Sequence, residues 1–250
     1  MTAPTGASGA ARAGAPTAAS PDAREIAPGF AALGVTAFTT TRAAGSFGLQ
    51  GDEPVGEVFA RWGALRESLG GARLASARQV HDATIIRHAP GWTGWLRADD
   101  ADGHLAPLPG TAIAVTIADC VPVFIAHRNG ACALLHSGWR GTAARITERA
   151  IQLLAEERAP ASELVVHCGP AICGNCYEVS PDVYAALTGH AVDRPTRVDL
   201  RQLIAGHARS LGVREITISE RCTRCDNDRF FSHRGGDAGR QLGVMVAHPQ

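Results

Sequence analysis

The sequence contains no lysine; all 24 of its basic residues are arginine. That excludes a Schiff-base lysine and a P-loop, whose G-x-x-x-x-G-K-[ST] pattern ends on lysine. An excess of one charge sign is missing too. The 24 basic residues balance 24 acidic ones for a formal net charge of +0, so no global field recruits nucleic acid or a membrane surface. No apolar run reaches the length of a membrane span, and the N-terminus lacks the apolar core of a secretory signal. Absent as well are G-x-S-x-G, H-E-x-x-H and G-x-G-x-x-G. H-x-E paired with P-C-x-x-C is missing, which removes the standard zinc deaminase. So is H-x-H, which ordinary multicopper oxidases use several times.

What is present suits one globular domain. The 250 residues are 45% hydrophobic and 19% charged, enough to bury a core. Residues 1–27, rich in Ala, Pro, Gly, Ser and Thr, read as a disordered arm. A mitochondrial-type targeting arm fits less well, because arginines are few there. Residues 28–250 read as a single catalytic domain. The 7 cysteines are an odd number. Without a secretory signal they point to reduced thiols in the cytoplasm, used as ligands, nucleophiles or core residues.

Patterning predicts strands over 35–41, 112–118, 121–127, 131–135, 164–167 and 213–219, and two short strands around His81-Asp82. Arg128-Asn129-Gly130 marks a hairpin turn. Helices are expected over 54–69, over 142–158 with Thr142 as N-cap, after Ser180 with Pro181 first, and over 199–211. Residues 96–110 read as a polar loop, and 242–247 as the strand that closes the sheet. Strands and helices mix without βαβ alternation. The expected class is therefore α+β, with mixed sheets in a sandwich-like core and flanking helices.

Three metal-competent side chains stand at the ends of apolar strand runs: His81 in "RQVHD", Cys120 in "IADCVP" and His136 in "ALLHSGWRG". Two imidazoles and a thiolate suit zinc, and three protein ligands leave a fourth position open, as in catalytic sites. Each residue alone also fits a structural role: a hydrogen-bonded histidine, or a small buried thiol. "SGWRGT" joins small residues, Arg140 and a helix start, a setting for an anion or simply a tight turn. Two C-x-x-C pairs, Cys173/Cys176 and Cys222/Cys225, remain. The helices and strand between them weigh against a shared zinc ribbon, and a thioredoxin-like motif needs a helix opening at the first pair.

Together, "RQVHD", "TIADCVPVFIAH", "LLHSGWRGT", "GPAICGNCYEV" and "RCTRCDNDRFFSHRGGDAGRQ" resemble the laccase-domain "polyphenol oxidase" family. Its members are also described as purine nucleoside phosphorylases and peptidoglycan editing factors. The resemblance runs from about Phe38 to the C-terminus. It implies an α+β domain and one zinc on His81, Cys120 and His136. It also implies phosphorolysis of adenosine, inosine and methylthioadenosine, with adenosine deamination as a side activity. The oxidase name implies copper (Cu2+) and phenol oxidation. Asp82 stands where the family has Gly, and Ser137 where it has Ala. "TTRAAGSFGLQGDEP" is shorter than the family's segment but keeps Arg42, and Arg61-Trp62 replaces an Asn-Arg pair.

These readings make Arg42, Arg140 and Arg234 the candidates for phosphate or ribose, and Asp119, next to Cys120, and Glu178 the carboxylate candidates; Glu178 reads also as a helix cap. Asp119 reads equally as a proton carrier or as a brace orienting a histidine. Two rivals stand beside the zinc phosphorylase. One is an amidase acting on cell-wall precursors, with Cys120 as nucleophile and His136 as base. The other is a non-enzymatic redox or zinc-binding protein built on the C-x-x-C pairs.

Overall fold

The computed structural model describes residues 21–51 and 53–249. The disordered arm expected over 1–27 lies, up to residue 20, outside the described residues. Its last part is ordered. Strand β1 (Arg24–Ile26) pairs antiparallel with β2 (Val35–Thr40), and the Thr41 N–H and hydroxyl bond the carbonyls of Ala23 and Asp22, each at 2.9 Å. The fold therefore begins before the expected boundary at residue 28. A three-residue edge strand carries too little pattern to be read alone.

The remaining strands are β3 (Arg73–Ala77), β4 (Ile85–Arg87), β5 (Trp95–Ala98), β6 (Gly103–Ala106), β7 (Thr111–Ile117), β8 (Val121–Ala126), β9 (Cys132–Ser137), β10 (Val165–Cys168), β11 (Glu178–Val179), β12 (Thr196–Arg197), β13 (Glu215–Ile218) and β14 (Gln241–Ala247). Among the described residues, five α-helices accompany them: α1 (Val55–Ser68), α2 (Trp139–Ala143), α3 (Ile146–Glu156), α4 (Pro181–Thr188) and α5 (Leu200–Ser210). One six-stranded sheet runs β1-β2-β14-β7-β3-β5, the other β13-β10-β8-β9-β6-β4. Both mix parallel and antiparallel pairs.

The two sheets pack face to face. Ile113, Val115, Phe124, Leu134 and Met245 fill the space between them. Outside the first sheet lies α1, with Trp62 and Leu65 against Leu74 and Val244. Against the second lie α3 and α5, through Ile151, Leu154 and Ile204. This is the expected α+β sandwich with outer helices. β8 and β9 are buried along their whole length, because one face meets the other sheet and the opposite face meets helices. Their continuous apolar runs follow from that.

Three expectations need correction. Residues 96–110 hold β5 and β6 rather than a loop; each is only four residues long, too short for a clear alternation. The helix expected over 142–158 is two helices, broken at Arg145, whose φ is 62°. Thr142 sits inside α2, where its hydroxyl bonds the Gly138 carbonyl at 2.8 Å, and Gly138 itself is the N-cap. Finally, β14 does not close an edge; it lies between β2 and β7.

Candidate metal centre and its cleft

Sheet register builds the site. Pro122 of β8 pairs with His136 of β9, and Val121 with Ser137, so Cys120, one residue before β8, arrives beside His136. Between β7 and β8 the chain turns through Asp119 at φ 85°, a region that Asp tolerates better than most residues. His81 also has positive φ, 61°, at the tip of the segment leaving β3. Its ligand atom and those of Cys120 and His136 all lie within 4.8 Å of one another. His81 is exposed toward the cleft, while His136 is 4% exposed.

The residue that organises this cluster is Asp102, just ahead of β6 and fully buried. Its carboxylate accepts the backbone N–H groups of Val80 (3.1 Å), His81 (3.0 Å) and Asp82 (2.9 Å). It also contacts His136 Nδ1 at 2.7 Å. Its backbone carbonyl accepts the His136 N–H at 2.7 Å, extending the β6–β9 ladder. One carboxylate thus fixes the His81 turn and, by holding Nδ1–H, leaves His136 Nε2 free to ligate. Burial pushes the Asp102 carboxyl up, but the His136 bond and backbone N–H groups hold it below the usual carboxylate range. Nothing in the sequence distinguishes Asp102 from its neighbours Asp99 and Asp100, so sequence reasoning missed it.

Cys120 and His136 are coupled. Burial raises the Cys120 thiol, but the charge on His136 and hydrogen bonds from both histidines outweigh it, lowering the thiol to about 6. Burial lowers His136, yet the Cys120 thiolate and Asp102 raise it to about 9. Without a metal the pair is a thiolate and an imidazolium near neutral pH. Gly138 is the cradle. A Cβ there would stand 2.9 Å from Cys120 Sγ and 3.4 Å from His81 Cδ2, so only glycine admits the ligands this close.

The cluster lies in an open cleft of about 430 Å³. Its walls carry Arg78, Arg97, Arg140, Arg234 and Arg240 together with Tyr177, His233 and Asp119. Arg78 is engaged by Asp100 at 2.5 Å, and Arg240 by the carbonyls of residues 237–239. Arg140 lies over the Trp139 ring at 4.4 Å. The Arg97 side chain is exposed and makes no ion pair or hydrogen bond among the described residues. Burial pushes the Tyr177 hydroxyl up to about 12, so it remains a donor at all ordinary pH values.

Of the residues singled out in the sequence, Arg140, Arg234, Asp119 and the three cluster residues meet in this cleft. Arg42 does not. It bonds Asp237 at 2.5 Å and the carbonyls of Asn227 and Phe230, and stacks on Phe231. The Glu178 side chain does not line the cleft either; its backbone carbonyl receives both Arg234 terminal nitrogens, at 3.2 and 3.3 Å. Asp119 is a brace, but not for a histidine. Its Oδ1 accepts the hydroxyls of Thr223 (2.6 Å) and Ser232 (2.8 Å), and its Oδ2 the Arg234 N–H (2.6 Å). The two C-x-x-C pairs, whose intervening helices and strand weigh against a shared zinc ribbon, converge on one point.

Residues 41–248 match the family described as multi-copper polyphenol oxidoreductase laccase. The chain belongs to that family. A purine nucleoside phosphorylase of Mycobacterium tuberculosis is 36% identical over 224 residues, 81% of this laccase-family chain and 88% of its own length. An adenosine deaminase from an unknown prokaryotic organism is 32% identical over 158 residues, 57% of this chain and 60% of its own. The crystal structure of YlmD from Geobacillus stearothermophilus superposes with a TM-score of 0.82 at 29% identity, covering 89% of this chain and 94% of that one. The family name implies a metal, and the residues present fit one. Two imidazoles and a low-pKa thiol converge, one imidazole is held by a carboxylate through its other nitrogen, and a glycine makes room.

Proposed function

We propose that this chain is a zinc-dependent purine nucleoside phosphorylase acting on adenosine, inosine and methylthioadenosine, with adenosine deamination as a side activity. The observation that carries the reading is the His81–Cys120–His136 cluster set in an arginine-walled cleft. The names borne by the relatives supply the substrate class. When bound, zinc supplies a Lewis acid at the floor of the cleft. The donor set favours zinc over a multicopper array, which needs further histidine clusters that the described residues do not offer. A single copper would still compete for two imidazoles and a thiolate.

Phosphorolysis transfers the ribosyl C1′ from a purine nitrogen to a phosphate oxygen, so the site must hold a dianion and stabilise a departing base. Arg140 and Arg234 project into the cleft and carry the phosphate role, with Arg97 as an additional, unengaged cation. Arg42 is withdrawn from this role because its guanidinium is consumed by Asp237 and two carbonyls. Tyr177 stays protonated and offers its O–H to the ribose or the leaving purine. Asp119 is the one carboxylate among the described residues that line the cleft, so any proton carried during deamination falls to it rather than to Glu178.

Purified protein given nucleoside and phosphate should release free base and pentose 1-phosphate, and Cys120→Ala should abolish the release. No free base from the wild type would sink the proposal. A second reading is favoured by one observation. The Cys120 thiolate beside the His136 imidazolium is also the pair that a cysteine amidase uses on a peptidoglycan precursor. Metal content separates the two: about one tightly held zinc at this cluster occupies the thiolate and removes the nucleophile.

A further inference from the structure

Cys173 and Cys176 lie between β10 and β11; Cys222 and Cys225 lie between β13 and β14. All four Sγ atoms are within 4.8 Å of one another, and Cys176 Sγ is 3.5 Å from Cys225 Sγ. Sulfurs bound tetrahedrally at about 2.3 Å from zinc stand roughly 3.8 Å apart, so the cluster needs only small adjustments to close on an ion. The local turns are of the kind that present thiolates. Cys222 Sγ accepts the N–H of Cys225 at 3.4 Å and that of Cys173 at 3.3 Å. Across the gap, the Cys173 backbone carbonyl closes its own turn by accepting the N–H groups of Cys176 (2.9 Å) and Tyr177 (3.0 Å). A parallel bridge between Ala171 and Cys222 joins the two segments at their base.

These are not core thiols. Only Cys222 is buried; Cys225 is exposed and the other two are half-buried. Packing therefore does not account for four sulfurs meeting at one point. The segment they fasten needs a fastening. No helix or strand forms from Ser219 to Arg240, a longer irregular connection than the ~12–15 residues beyond which compact domains rarely go.

We propose that Cys173, Cys176, Cys222 and Cys225 form a structural tetrathiolate zinc site, separate from the His81–Cys120–His136 cluster, that clips the 219–240 segment to the 169–177 segment. The clip reaches the cleft through residues beside its ligands. Tyr177 follows Cys176, and Thr223, next to Cys222, holds Asp119. Arg234 of the clipped segment also bonds Asp119 through its N–H. Four protein ligands leave no open position, so this ion is structural.

The test is metal content of protein purified under reducing conditions. The double variant Cys176→Ser/Cys225→Ser should contain one equivalent of zinc fewer than the wild type. His136→Ala should keep the equivalent that the double variant loses, which separates this site from the cleft. If the double variant does not fold, cobalt substituted into His136→Ala reads the ligands directly. A tetrahedral spectrum with strong sulfur-to-cobalt charge transfer from four thiolates is expected, and a zinc X-ray absorption shell of sulfur alone near 2.3 Å should accompany it. Equal metal content in wild type and double variant overturns the proposal. So does a cobalt spectrum lacking thiolate charge transfer in His136→Ala, or the finding that the four thiols are paired as disulfides in reduced-purified protein.

Discussion

Among the described residues, metal-competent side chains gather twice, and the two places are built on opposite plans. Cys120 and His136 sit at strand ends, where sheet register sets their spacing, and His81 sits on a turn that Asp102 pins to the same frame. They number three, one of them is exposed to a cleft, and a buried carboxylate orients another. The four cysteines sit on irregular connections that the frame does not position. An open set on stiff strands suits chemistry, because the frame pays for its geometry in advance. A closed set on loops works the other way: there the ligands shape the chain.

The sharpest way to break this comparison is to remove Asp102. Asp102→Ala deletes the acceptor of three backbone N–H groups and of His136 Nδ1 in a fully buried position. A loss of about 3–5 kcal/mol in unfolding free energy is expected, as for breaking a buried charged network. The milder Asp102→Asn should stay folded and weaken metal binding at the cleft about 10–100-fold. Titration with a competing chelator measures this, while the zinc held by the four cysteines should be unchanged. Gly138→Ala is next. Its Cβ would meet Cys120 Sγ at 2.9 Å, so it should lower the same affinity by about tenfold, within the range seen when supports of a ligand are disturbed, again sparing the cysteines.

Protons offer a graded test. In the metal-free protein the Cys120–His136 pair takes up its first proton near 9 and its second near 6, values that belong to the pair rather than to either side chain. A bound metal needs both groups deprotonated. Above about pH 9 no proton is displaced and affinity is flat. Between 9 and 6 one proton leaves per metal, so affinity falls about tenfold per unit as pH drops. Below 6 two leave and the slope doubles. Calorimetry at pH 7 should therefore count about one proton released from this pair. A count of zero would mean the imidazolium–thiolate pair does not form.

How much of this was legible follows from the same contrast. His81, Cys120 and His136 could be read because each ends an apolar run, and a strand end is a place that a sequence marks. The β8–β9 hairpin was legible from Asn-Gly, and the outer helices from their apolar stripes. Asp102 was not, because its function depends on β6 lying beside β9, and the four residues of β6 carry no pattern. Arg42 looked like a ligand to phosphate, but its partner Asp237 is 195 residues away. The cysteine convergence was hidden in the same way: Cys176 and Cys225 are 49 residues apart, and parallel pairing of β10 with β13 closes that distance. Where partners are joined by sheet topology rather than by neighbouring sequence, residue type and spacing are silent.

Arg42 and Glu178 give the smallest expected effects on catalysis, for different reasons. Hydrogen bonding from Arg42 holds the Asp237 carboxyl down to about 2, against a smaller opposing push from burial. A carboxyl lowered in the folded state contributes stability above its unfolded value near 4 and loses it as pH falls toward 2. Arg42→Ala should therefore cost about 1 kcal/mol at neutral pH, the scale of a partly exposed pair, and the deficit should shrink between pH 4 and 2. The Michaelis constant for phosphate should stay within about twofold, since the guanidinium faces Asp237 and not the cleft. Glu178→Gln should change neither stability nor turnover measurably, because the part of Glu178 that supports Arg234 is its backbone carbonyl, which the substitution leaves in place. A tenfold fall in turnover for Glu178→Gln would show that the side chain enters the cleft during reaction. It would then return a second carboxylate to a site where Asp119 is already tied to three donors.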